Sequence, residues 1–179
     1  YTLQGTSVVH RVQVENQSGE VMPFSLGYHP GFACPFDAAQ GTQDYVLRFD
    51  VPQTPAVVEV DEATGLVTGG THTLFENGTD IPLTDHLFDH DSICMTNLTA
   101  RSLSLVEAGT GRGVSVDITG FPYVLVWSVK GPVQFVCIEP WHGLPDAANA
   151  TGEWLEKPAT VRLAPDESWG TQLCMTFHL

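Results

Sequence analysis

The chain has 179 residues, 42% of them hydrophobic, with a mean hydropathy of +0.01, which suits one folded domain with its own apolar core. Charged residues make up only 16%, which excludes a disordered chain or a charge-laced coiled coil. Twenty-one acidic residues against seven Lys and Arg leave a net charge of −14, which argues against nucleic acid or an anionic membrane surface as partner and favours a neutral polar ligand.

Strand-like runs recur at short intervals along the chain. They are Val8 to Val14, Val21 to Leu26, Tyr45 to Phe49, Ala56 to Val60, His72 to Phe75 and Ser92 to Met95. Then follow Ser102 to Val106, Val114 to Ile118, Tyr123 to Val129, Val133 to Ile138, Thr160 to Leu163 and Gln172 to Phe177. Turn signals separate them, among them Asn16-Gln-Ser-Gly19, Asn77-Gly78, Gly109-Thr-Gly111 and Lys130-Gly-Pro132. Thr84 to Asp89 could form a helical turn. Many short strands without a 3.6-residue period indicate an all-β, antiparallel sandwich or barrel, and no repeat or linker divides residues 1–179.

Cys34, Cys94, Cys137 and Cys174 form no CxxC pair, and three of them lie inside apolar runs. They read as reduced core thiols, and so point to a cytoplasmic protein. Each of the four asparagines, Asn16, Asn77, Asn97 and Asn149, opens an N-x-S/T triplet, which is the opposing signal but one easily met by chance. No run nears the ~18 apolar residues of a membrane-spanning helix, and no leader pattern is recognisable. The chain opens at Tyr1, close to a strand, and reads as part of something longer.

Three segments carry candidate chemistry. In Val21-Met-Pro-Phe-Ser-Leu-Gly-Tyr-His-Pro-Gly-Phe32, strand alternation puts Met22, Phe24, Leu26 and Tyr28 on one face, with Ser25, Gly27 and His29 on the other. Pro30 biases His29 toward extended geometry, and an imidazole with a reference pKa of ~6.5 can give or take a proton near neutral pH. A histidine hydrogen-bonded in a loop meets the same description. In the second segment, the turn at Val129 to Pro132 makes Phe121 to Ser128 and Val133 to Ile138 a hairpin, whose nearly unbroken apolar second strand should be covered on both faces. That strand is expected to end at Glu139-Pro140-Trp141. A carboxylate at the end of a buried strand is paired or used, and burial would raise its pKa toward that of a general base. Pairing with an arginine or capping a turn are the plain alternatives. Trp127 and Trp141 can offer apolar platforms to a sugar ring or simply fill the core.

The third segment, Asp85-His-Leu-Phe-Asp-His-Asp91, spaces His86 and His90 as a helical metal site would, but it lacks the Glu of HExxH. No metal is therefore expected. There is also no GxSxG elbow, no phosphate-binding loop and no dinucleotide fingerprint.

Gly27-Tyr-His-Pro-Gly-Phe32, Phe121-Pro-Tyr-Val-Leu-Val-Trp-Ser128 and Phe135-Val-Cys-Ile-Glu-Pro-Trp-His-Gly-Leu-Pro-Asp146 resemble the motifs of the aldose 1-epimerase family, in particular its LacX-like branch. So does the tail, with Lys157 and then Leu163-Ala-Pro-Asp-Glu167. The resemblance covers nearly the whole chain in the right order. It implies a galactose mutarotase-like supersandwich, incomplete at its N-terminus, and interconversion of α and β anomers of an aldohexose without a cofactor. By motif position His29 is similar to the family's general acid and Glu139 to its general base, while Asp91, or alternatively Asp89, resembles its sugar-hydroxyl aspartate. Family members are longer and bring an arginine and often a histidine from their N-terminal part. Nothing before His29 replaces these, since Arg11 falls on a strand outside the cleft and His10 is a weak stand-in. Self-association or a companion N-terminal segment is therefore expected to cover the open sheet edges. A hexose-6-phosphate epimerase and a non-catalytic sugar-binding or regulatory sandwich remain as alternatives.

Overall fold

The computed structural model describes all residues, Tyr1 to Leu179, and consists almost wholly of strands and their connections. In chain order they are β1 (Thr2–Gln4), β2 (Ser7–Glu15), β3 (Met22–Phe24), β4 (Leu26–Gly27), β5 (Gly31–Ala33), β6 (Tyr45–Gln53), β7 (Ala56–Val60) and β8 (Val67–Thr73). They continue as β9 (Gly78–Pro82), β10 (Ile93–Thr96), β11 (Ser102–Glu107), β12 (Gly113–Asp117), β13 (Tyr123–Trp127), β14 (Phe135–His142), β15 (Val161–Leu163) and β16 (Ser168–His178). One sheet has the order β1-β2-β16-β12-β11-β6-β9 and the other β4-β14-β13-β10-β7-β8, with β5 also on β14; β3 and β15 form a small third sheet. The strand pairs are antiparallel throughout. The expected antiparallel sandwich is the fold found.

Period-two alternation builds the core between the two sheets. Leu47, Phe49, Leu103, Leu105, Val114, Val116 and Leu173 point inward from the first sheet. Val57, Met95, Val124, Val126, Val136 and Ile138 meet them from the second. Each such burial contributes roughly 1.5–3 kcal/mol against the entropy of ordering the chain. The alternate residues of the second sheet form another apolar patch on its outer face, where Val58, Cys94 and Leu125 cluster with Tyr123, Trp141 and Leu144 beside them. Two apolar faces explain why β13 and β14 read as continuous hydrophobic runs.

Several elements differ from the sequence reading. The run from Val21 to Leu26 splits, because β3 pairs with β15 while β4, after Ser25, joins β14 in the larger sheet. β8 ends at Thr73, before Leu74 and Phe75, which pack against the core instead. Its Gly69 and Gly70 hide the strand from a propensity reading. Thr84 to Asp89 forms no helix. It is a chain of tight turns, with Leu87 N–H on Thr84 O at 3.1 Å and Asp89 N–H on His86 O at 3.2 Å. β1, β5 and β9 are short and carry no alternation that marks them in the sequence. β9 is held by its antiparallel pairing with β6, across which the Asp80 carboxylate accepts two hydrogen bonds from Arg48 at 2.8 and 2.7 Å. Asn16 is buried, and its side-chain amide donates to Glu20 O, Leu163 O and Ala164 O, so that triplet belongs to a turn. All four cysteines are free thiols.

Candidate active site

Glu139 does not end its strand, contrary to the sequence reading. β14 runs on through Pro140 to His142, with regular pairing to β13 from Tyr123↔Trp141 to Trp127↔Cys137. On its other flank Trp141 pairs with Gly27 and Cys137 with Gly31. Carrying that register inward sets His29 directly opposite Glu139. Tyr28 N–H donates to Pro140 O at 3.0 Å and Ile138 N–H to Pro30 O at 3.3 Å, so His29 and Glu139 form the non-hydrogen-bonded pair between them. In antiparallel sheets such pairs bring side chains closest together. Pro30 and Pro140 have no N–H to return, so each removes one ladder bond. The Trp141 indole N–H fills one of these gaps by donating to Tyr28 O at 3.1 Å. Gly27 makes room for that indole, because a Cβ there would overlap the Trp141 ring.

The pair therefore lies on the outer face of the second sheet. His29 Nδ1 is 3.4 Å from Glu139 Oε1, with the imidazole 56% exposed and the carboxylate 3% exposed. Burial pushes the Glu139 carboxyl up to about 7, and the Asp91 carboxylate adds to the rise. Burial also pushes the Cys94 thiol up to about 12 and the Cys137 thiol up to about 11, with Glu139 adding to both, so neutral groups flank the carboxylate. Trp127 meets the His29 ring edge-on, with centroids 5.9 Å apart.

Glu139 and His29 open onto a hollow of about 260 Å³, whose walls include Asp91, Trp127, Trp141 and Leu144. Asp91 adopts a left-handed backbone conformation with φ 78°, and one of its carboxylate oxygens accepts the Ser92 N–H at 2.7 Å. Asp89, the alternative candidate, is not in this wall. Its carboxylate is 3.0 Å from His86 Nδ1, and its carbonyl faces Lys130. His86 and His90 turn to separate partners, His86 to Asp89 and His90 to Glu62 at 2.9 Å. The donor atoms that do cluster are those of His29, Cys137 and Glu139, within 4.8 Å of one another. Arg11 bonds Gln172 on the first sheet, and His10 stacks on Tyr1 and meets Tyr28 edge-on. Sequence reading missed Val60, Cys94, Leu144 and Pro145 in the wall. The alternation of β10 marks Cys94 as outward-facing, but no local signal marks the loop residues.

A family model described as aldose 1-epimerase matches residues 1–169, and the chain belongs to that family. It is 32% identical over 167 residues to the chromosomal LacX protein of Lactococcus lactis subsp. lactis, an alignment covering 92% of this chain and 56% of that protein. The plasmid-encoded LacX of the same organism matches to the same extent. The chain thus spans little more than half the length of these curated relatives. Its fold superposes on a galactose mutarotase related enzyme from Lactobacillus acidophilus with a TM-score of 0.90 at 26% identity, covering 100% of this chain and 60% of that one. A galactose mutarotase-like protein from Lactobacillus casei gives 0.86, also at 26% identity, covering 99% and 61%. The expected family and fold are those found.

Proposed function

We propose that the chain carries the acid–base centre of an anomer-exchanging isomerase acting on an aldose. Glu139 takes the proton of the anomeric hydroxyl while His29 protonates the ring oxygen. The C1–O5 bond breaks, the freed carbonyl rotates, and closure from its other face gives the other anomer. Both oxygens sit on C1, so a base and an acid side by side can serve both. Glu139 near pH 7 is poised as a base that gains a proton in one half of the cycle and loses it in the other. Asp91 accepts hydrogen bonds from ring hydroxyls, and Trp127 and Trp141 offer apolar surface to the sugar's C–H faces. Both steps are proton transfers, so the reading calls for no cofactor. The observation that carries it is the juxtaposition of an exposed imidazole and a buried, high-pKa carboxyl on one sugar-sized hollow.

No Lys or Arg lines that hollow, which favours an uncharged aldose over a 6-phosphate. Saturation-exchange NMR between α and β anomers of several aldoses tests the proposal. Exchange above the spontaneous rate is expected, and His29→Asn or Glu139→Gln should each lower it by roughly 10²-fold or more. Sugar binding without exchange would instead favour a non-catalytic carbohydrate-binding sandwich.

A further inference from the structure

Three groups able to ligate a metal ion stand together on the outer face of the second sheet. Cys137 and Glu139 are two residues apart on β14, so their side chains leave the same face. Across the ladder His29 lies opposite Glu139, and Gly31 lies opposite Cys137. Glycine leaves the thiol clear on that side, since a Cβ at position 31 would stand 3.4 Å from Cys137 Sγ. The imidazole Nδ1, the thiol Sγ and a Glu139 carboxylate oxygen all lie within 4.8 Å of one another.

Their spacing is close to what a tetrahedral ion needs. Bonds of about 2.0–2.1 Å to nitrogen and oxygen set two ligands of a tetrahedral zinc ion about 3.4 Å apart. His29 Nδ1 and Glu139 Oε1 are 3.4 Å apart. A sulfur bonded at about 2.3 Å sits about 3.6 Å from each, so Sγ must close by about 1 Å, which rotation of the thiol and of the half-exposed imidazole can supply. The Glu139 carboxylate is 3% exposed and has no hydrogen bond to offset its burial, so a cation there gives it the partner it lacks. Asp91 in the adjoining wall and the net charge of −14 draw cations toward the hollow. One nitrogen, one sulfur and one oxygen ligand suit zinc and similar ions, whereas magnesium and calcium take oxygen alone.

We infer that His29, Cys137 and Glu139 form a site for a zinc-type divalent cation, with water as its fourth ligand, and that filling it stops the acid–base centre. The site stands on the donor geometry, while the inhibition rests on the anomer-exchange reading. Coordination sends the Cys137 thiol proton to water, and the bound sulfur is a thiolate. A metal on Nδ1 takes the place of the proton that makes the ring an acid, and a ligated carboxylate is no longer a free base.

The full chain, stripped with a chelator, is titrated with Co²⁺ by absorption and with Zn²⁺ by calorimetry, and anomer exchange is followed against free Zn²⁺. One equivalent of Co²⁺ should raise the visible bands of a tetrahedral ion and a near-ultraviolet thiolate charge-transfer band, both displaced by zinc. Cys137→Ser should abolish the charge-transfer band and weaken zinc binding at least about tenfold, and His29→Asn, at a half-exposed ring, should weaken it comparably. Cys94→Ser should keep the band, because Cys94 lies two strands from Glu139, across Leu125. Bound zinc should suppress exchange, with the half-inhibiting concentration at least about tenfold higher in Cys137→Ser. No cobalt band, or a band that survives Cys137→Ser, would overturn the site. Zinc bound with exchange unchanged, or exchange that requires zinc, would overturn the inhibition. If no sugar is exchanged with or without zinc, the anomerase reading fails, and the cobalt band still decides whether the site exists.

Discussion

The two flanks of β14 treat one strand in opposite ways. Toward β13 the ladder is regular over five consecutive pairs, and the inward side chains Val124, Val126, Val136 and Ile138 lie in the core. Toward β4 and β5 the register is equally strict, yet Pro30 and Pro140 each remove a hydrogen bond beside the His29–Glu139 pair. Register and hydrogen bonding are therefore separable. The regular flank fixes where β14 runs, and the proline-broken flank keeps that placement while holding a half-exposed imidazole over a buried carboxyl. Stability should come from the first flank and cost from the second.

The largest stability effect should come from the regular side. Ile138→Ala empties a fully buried site between the sheets and should cost about 3 kcal/mol in denaturant unfolding. A loss under 1 kcal/mol would show that β14 is not anchored through its inner face. On the broken side the expected effect is smaller and of opposite sign. The Glu139 carboxyl titrates near 7 when folded against an ordinary value of 4.5, so unfolding releases a proton between those values and stability falls as pH rises through that window. Glu139→Gln removes the fall. It should stabilise the protein at pH 8, with the gain fading as pH falls to 4.5. A gain independent of pH would mean that the buried charge is not its source.

Much of this was legible in the residues, and what was not has a physical reason. Alternation and apolar runs identified the sandwich and the β13–β14 hairpin, because side-chain burial on a sheet follows the sequence two residues at a time. His29 stood out as an imidazole on a small polar face and Glu139 as a carboxylate at the end of an apolar run, each followed by a proline. The same prolines misled the reading of strand ends, since Pro140 seemed to stop a strand that runs on to His142. A side chain, the Trp141 indole, replaces the missing main-chain donor there, and no propensity encodes that. Asp89 and Asp91 could not be separated, because the choice lies in a turn where Asp91 takes φ 78° and Asp89 pairs with His86. The wall joins Val60, at the end of β7, to Leu144 and Pro145, just after β14, and the meeting of segments so far apart in sequence is a property of the whole sheet.

The smallest effect probes the repair itself. If the Trp141 indole stands in for the amide that Pro140 lacks, Trp141→Phe leaves Tyr28 O without its 3.1 Å donor and should cost about 1 kcal/mol beyond lost packing. Pro140→Ala returns a main-chain N–H opposite that carbonyl, since Tyr28 and Pro140 already share the reciprocal bond at 3.0 Å. With Ala at 140, the ladder can satisfy Tyr28 O by itself. Trp141→Phe should then cost only its packing share, which is the same in both backgrounds and cancels in a double-mutant cycle, leaving a coupling of about 1 kcal/mol. Zero coupling would mean that the indole bond does not compensate the proline, and that the flank tolerates two open ladder positions rather than one.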